Sequence, residues 1–257
     1  MKKLMCFAAA FLACAAAAFA QDAAALVQAS RDRIKADTIS SRSKMVIAAK
    51  DGSSSERVLD QYSKDGPNGG RAVIVFREPA GVANTRFLTM ENARGSNDQW
   101  IFLPSLGKVR RIASSEGSGS FMGTDMSYDD ISSADRKADL DNHRILREET
   151  LNGNACHVIE SIPKDSSYQY SKMIQWIDKA TKVTHKVELY DRRGTMHKRL
   201  EILELRNVQE RLSPIVTRMS TLTEGTSTTI RVEILKYDDP IPEGVFTPAF
   251  LETGRAR

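Results

Sequence analysis

Apolar and polar positions alternate with a period of two through most of this chain. Val183, His185, Val187 and Leu189 fall on one side of an extended segment, with Thr184, Lys186 and Glu188 on the other; Ile230, Val232 and Ile234 oppose Arg231 and Glu233. Such alternation marks sheet with one dry and one wet face. Further segments are separated by turn residues. Residues 42–49 and 56–64 flank Asp51-Gly52-Ser53, residues 145–150 and 156–162 flank Asn152-Gly153-Asn154, and residues 215–222 and 228–237 flank Glu224-Gly225. Ala72-Val73-Ile74-Val75-Phe76 is a continuous apolar run, so both of its faces should be covered. Residues 86–90, 99–103, 108–112, 172–178 and 196–205 complete the set; within 99–103, Trp100 and Phe102 point one way and Ile101 and Leu103 the other. About ten or eleven antiparallel strands follow, which need a sandwich or a curled, barrel-like sheet to bury their apolar faces. A single long helix is expected over Asp22–Asp37, with Leu26, Val27 and Ile34 on its apolar side and Asp22 as its cap.

One segment breaks the alternation. Residues 113–142 are rich in Ser, Gly and Asp yet carry Phe121, Met122, Met126 and Tyr128, with a short helix expected over Ser127–Ile131. Long irregular stretches inside compact domains tend to be functional. The segment reads as a loop-and-helix cover across one mouth of the sheet.

The N-terminus changes the compartment. Lys2 and Lys3 precede an uncharged apolar run from Leu4 to Phe19, and Ala18-Phe19-Ala20 is a small-x-small cleavage site. Residues 1–20 thus read as a cleaved signal peptide and 21–257 as a single exported domain. The alternative is a loose lipobox, Phe11-Leu12-Ala13-Cys14, which would leave a lipid anchor on Cys14. Of 37 Lys and Arg, two fall in the leader, leaving 35 against 33 Asp and Glu. So even a balance excludes the strong basic excess of a nucleic-acid binder. Cys6 and Cys14 lie in the leader, so Cys156 has no partner for a disulfide and reads as a small residue packed in a strand.

Catalytic and metal chemistry find no pattern. The glycines around Ser118 match neither a nucleophile elbow nor a dinucleotide fingerprint. His143, His157, His185 and His197 lack metal spacing, and His185 reads as a hydrogen-bonded core residue. Asp125, Asp129, Asp130, Asp135, Asp139 and Asp141 lack the spacing of a calcium loop and read as a solvated helix face. Lys108-Val109-Arg110-Arg111 is either a contact for anionic headgroups or an acidic partner, or a charged edge that discourages strand pairing.

The block Trp100-Ile101-Phe102-Leu103-Pro104-Ser105-Leu106-Gly107-Lys108-Val109-Arg110-Arg111-Ile112 resembles the outer-membrane lipoprotein-sorting family, relatives of the LolA and LolB carriers. Ser118–Asp125, Tyr128-Asp129-Asp130, and Val75-Phe76 followed by Pro79-Ala80-Gly81 and Arg86-Phe87-Leu88 extend the likeness over residues 72–131. The resemblance implies a mainly β fold, an unclosed antiparallel barrel of about eleven strands with covering helices. It also implies a periplasmic, non-enzymatic carrier that moves a lipid or lipoprotein acyl chains toward the outer membrane, as a monomer, with transient membrane contact and without a cofactor or metal. Members of the wider group point to an inner-membrane transporter of the resistance-nodulation-division type as a partner. The alternative is a non-catalytic envelope binding module or accessory subunit of such an exporter. On this reading Phe76, Phe87, Trp100 and Phe102 line an apolar cavity, Phe121, Met122 and Met126 form its movable lid, and Lys108, Arg110 and Arg111 meet headgroups or a partner. A chain of ~15 methylenes gains on the order of 12 kcal/mol from such shelter.

Overall fold

A computed structural model describes residues 23–66, 69–92, 97–132 and 136–256. The leader, Cys14, the Asp22 cap and Asp135 lie outside them. Among the described residues thirteen strands form, one for each extended segment read from the sequence and more than the ten or eleven expected of them. They are β1 (Thr38–Ala48), β2 (Ser54–Lys64), β3 (Arg71–Glu78), β4 (Arg86–Met90), β5 (Asp98–Leu103), β6 (Lys108–Arg111), β7 (Asp141–Leu151), β8 (Asn154–Pro163), β9 (Lys172–Asp178), β10 (Thr184–Tyr190), β11 (Met196–Val208), β12 (Arg211–Thr221) and β13 (Thr226–Tyr237). They join in one antiparallel sheet in the order β6-β5-β4-β3-β2-β1-β13-β12-β11-β10-β9-β8-β7. The sheet is not closed. Two meanders meet where the first strand pairs with the last, Ile39 opposite Tyr237 through Ala48 opposite Ser227. The edges are β6, four residues of which three are basic and exposed, and the longer β7, which carries Arg144, Arg147, Glu148 and Glu149. Charge on an edge, and shortness in the case of β6, discourage further strands from adding.

The chain gathers into two compact units. The first holds α1 (23–31), β7–β10 and the start of β11. Helix α1 stops six residues before the expected Asp37, where the chain turns toward β1. Its Ala23 and Val27 pack on Ala138, Ile159 and Ile177, with Leu26 and Ile145 at the margin. Ser30 and Thr184 share a hydroxyl hydrogen bond of 2.8 Å beside this contact. The other face of the same strands buries Cys156, Val158 and Trp176. Lys186 Nζ sits 3.5 Å from the Trp176 ring centroid and covers it. Burial, and then Asp178, push the Cys156 thiol above its ordinary range, as suits a packed rather than reactive cysteine.

The second unit holds β1–β6, the rest of β11, β12, β13 and two covering segments. One is residues 113–132, with a 3-10 turn at Ser114–Glu116 and the short helix α2 (Tyr128–Ser132) where a helix was expected. The other is C-terminal, a 3-10 turn at Glu243–Phe246 followed by α3 (Pro248–Thr253). Thr247 caps α3 by accepting from the Phe250 N–H, Pro248 supplies its first turn, and Gly254 ends it in the left-handed region at φ +67°.

Candidate functional site

Strand register decides which side chains share a wall. Val73 pairs with Leu88, and Leu88 with Trp100; Val75 pairs with Arg86, Arg86 with Phe102, and Phe102 with Val109. These residues project from one face. Ile74 pairs with Phe87, and Phe87 with Ile101; these project from the opposite face, as does Phe76, two residues along from Ile74. The four rings expected to line one cavity are therefore separated into two pairs by the thickness of the sheet. The cause is the register, which sets Phe87 opposite Ile101 rather than opposite Trp100 or Phe102.

Trp100 and Phe102 belong to an interior under the C-terminal segment. Val73, Val75, Leu88, Val245, Phe246 and Leu251 are its buried members, and both rings pack against it half-buried. The Arg86 guanidinium stacks 5.1 Å from the Phe102 centroid and donates to the Leu251 carbonyl at 2.7 Å. Glu243 accepts from Lys64 and, at 2.9 Å, from Arg71.

Phe76 and Phe87 lie on the other face, beneath residues 113–132. Phe121 is fully buried between them, at 5.9 Å from Phe76 and 5.1 Å from Phe87 between ring centroids, and Tyr128 closes the cluster at 5.5 Å, edge to face. Burial raises the Tyr128 phenol above its ordinary range. Met126 is buried beside them and Met122 is half-buried. Met122 and Gly123 both have positive φ, +53° and +75°, which turns the chain back so that the Phe121 N–H reaches the Met126 carbonyl at 2.7 Å.

Polar latches hold this cover. Thr226 and Thr228 donate to the Asp125 carboxylate, Thr228 at 2.7 Å, and the Asp125 N–H donates back to the Thr228 hydroxyl at 3.0 Å. Arg57 donates to the Met122 carbonyl at 2.6 Å, its guanidinium pKa lowered by burial. Asn97 donates to the Ser132 carbonyl at 2.7 Å. The expected solvated acidic face is corrected here. Asp125 is buried against β13, Asp130 accepts from the Ser127 N–H at the start of α2, and Asp141 is buried with Arg136 at 2.8 Å. Each of these carboxylates is spent on a donor, and of the five acids described only Asp139 is exposed as expected.

Of the basic stretch, Lys108 is exposed, Arg110 is held by both Glu116 oxygens at 2.6 and 2.8 Å, and Arg111 is held by Asp98. Sequence reading missed Arg57, the Thr226–Thr228 anchor and the whole C-terminal cover. One Ser–His contact invites a catalytic reading. His143 lies 2.8 Å from Ser161, while its Nε2 donates to the Ala138 carbonyl at 2.7 Å. Gln175 also donates to the Ser161 hydroxyl, which is 0% exposed, so no substrate reaches it. His185, expected to be hydrogen-bonded, leaves Nε2 buried without a partner, and burial lowers its pKa. No helix among the described residues is long and apolar enough to cross a membrane.

Comparison with known proteins gives a consistent picture. A family model with the description "Uncharacterized protein" matches residues 69–253. No curated protein matches the chain by sequence. A crystal structure of a DUF1329 family protein from Desulfovibrio piger is 27% identical with a TM-score of 0.86, covering 91% of this chain and 99% of that one. A domain assigned to outer membrane lipoprotein-sorting proteins, from Vibrio parahaemolyticus, is 28% identical at 0.85, with the same 91% and 99% coverage. A LolA superfamily protein from Nitrosomonas europaea, 21% identical at 0.71 over 89% of this chain and 98% of that one, shares the fold.

Proposed function

The chain belongs to the family whose model matches residues 69–253 and has the LolA-like fold, and from its likeness to a lipoprotein-sorting domain we propose that it is a non-catalytic carrier for a lipid or the acyl chains of a lipoprotein. The acyl site lies between the face of β3–β5 that presents Phe76 and Phe87 and the cover bearing Phe121, Met122 and Met126. The protein works in the periplasm after its leader is cleaved and transfers its cargo toward the outer membrane, with Lys108 as the free cation at a membrane or partner surface. The single observation behind this reading is the Phe76–Phe87–Phe121–Tyr128 cluster beneath a polar-latched cover. In it an aromatic side chain of the protein occupies the kind of apolar site that an acyl chain would take, and must withdraw to admit one.

The test pairs native mass spectrometry of protein taken from its own envelope with titration of a fluorescent fatty acid. Bound lipid is expected, and Phe121→Asp and Met122→Asp are expected to weaken probe binding while leaving the β-sheet circular dichroism intact. No bound lipid together with unchanged probe affinity in both variants would sink the proposal. That closure also favours a second reading, a filled accessory module of an inner-membrane exporter. It predicts that no acyl ligand enters the wild-type protein.

A further inference from the structure

Thr89 and Gln99 are direct cross-strand partners on β4 and β5. Thr89 follows Phe87 by two residues and Gln99 precedes Ile101 by two, so both lie on the face of the aromatic cluster, one row farther along. They are 8% and 5% exposed. The Gln99 amide nitrogen donates to Asp129 at 3.3 Å and to the Ser132 hydroxyl at 3.2 Å. A carboxylate only accepts, so that contact fixes the orientation of the amide. It leaves Gln99 Oε1 buried without a donor, and Thr89 Oγ1 beside it is likewise without a partner. Buried polar atoms are nearly always satisfied, and two orphans on paired residues form a set rather than an accident. Cross-strand partners sit about 4.5–5.5 Å apart at Cβ, a gap one small polar group can bridge.

We infer that Thr89 and Gln99 form the polar end of the lipid site and receive a neutral hydroxyl carried next to the acyl chain. A hydroxyl meets both needs, donating to Gln99 Oε1 while accepting from the Thr89 hydroxyl. An amide N–H meets only the first. A carboxylate or phosphate meets the second alone and lies against Gln99 Oε1, with the Asp129 carboxylate close by. The cargo class is thus an acyl glycerol with a free hydroxyl, its chain running from the polar row along Phe87. This inference rests on the carrier reading and narrows its substrate.

The experiment titrates the mature protein with 1-monopalmitoylglycerol, methyl palmitate and palmitate. The glycerol ester is expected to bind at least about tenfold more tightly than the methyl ester, the worth of one well-made hydrogen bond in a dry site. Thr89→Val removes one orphan without touching the Asp129 contact. It should cut that preference several-fold while the melting temperature of the ligand-free protein holds or rises. The Thr89→Val, Gln99→Leu double variant should abolish the preference. Equal binding of both esters by wild type overturns the subsite and leaves the carrier intact. Tighter binding of palmitate than of the glycerol ester, or a preference that survives Thr89→Val and the double variant, also overturns it. Binding of none of the three overturns the carrier reading with it.

Discussion

Strands β3–β5 are covered on both faces, and the two covers are built differently. The C-terminal cover buries Val245, Phe246 and Leu251 against Val73, Val75 and Leu88, with Arg86 on the Leu251 carbonyl and Lys64 and Arg71 on Glu243 as its polar ties. The 113–132 cover brings Phe121 and Met126, then relies on polar latches at Asp125, Met122 and Ser132. A buried large apolar side chain contributes about 1.5–3 kcal/mol, whereas a hydrogen bond contributes a net ~1 kcal/mol because water offers a substitute once it opens. The first cover therefore gains most from apolar burial. The second buries Phe121 and Met126 but depends more on hydrogen bonds, which water can replace when it opens.

Three measurements sharpen or break this contrast. The largest effect is expected at Phe246. Phe246→Ala should cost about 3–5 kcal/mol in denaturant unfolding, since a rigid interior cannot collapse around the gap. Phe121→Ala should cost less, because its cover can settle; equal losses would make both covers core and remove the basis for a lid. Next is Asp125→Ala, which strands the Thr226 and Thr228 hydroxyls. A loss of about 1–3 kcal/mol is expected, with amide exchange rising over residues 114–132 while the β signal stays unchanged. Exchange that rises evenly over the sheet would show that Asp125 supports the whole unit.

The smallest effect concerns acid and the edge strand β6. The Ala113 N–H and then Arg110 hold Glu116 below the usual carboxylate range, and Arg111 with Asn92 does the same for Asp98. Both folded pKa values are depressed, so their contribution is complete at neutral pH and is lost as pH falls below the ordinary carboxylate range. Amide protection of β6 should weaken there before that of β3 and β4. Protection that falls together on all three strands would show the pairs to be incidental.

The strands were legible because each alternation is local. The face that each strand offers was not, because it depends on register. Within β5, Trp100 and Phe102 could be seen to share a side, but whether that side matches Phe76 is settled by Leu88 standing opposite Trp100. The C-terminal cover escaped because Pro240, Pro242 and Pro248 break any period across Ile241, Val245, Phe246 and Leu251. Asp125 read as solvated because its partners, Thr226 and Thr228, lie a hundred residues away in sequence. Of the segment 113–142 read as a cover, residues 113–132 pack over Phe76 and Phe87, legible because large apolar residues in a run of Ser and Gly signal burial without regular structure; residues 138–142 instead lead into β7.

Gly117 lies under α2, where the Asp129 N–H donates to its carbonyl at 2.8 Å and the Asp129 carboxylate fills the space a Cβ would need. The two positions are therefore coupled: any side chain at 117 must displace the Asp129 carboxylate, and with it the contact that Gln99 makes from β5. One absent methyl group thus connects the loop start, the short helix and the strand beneath them.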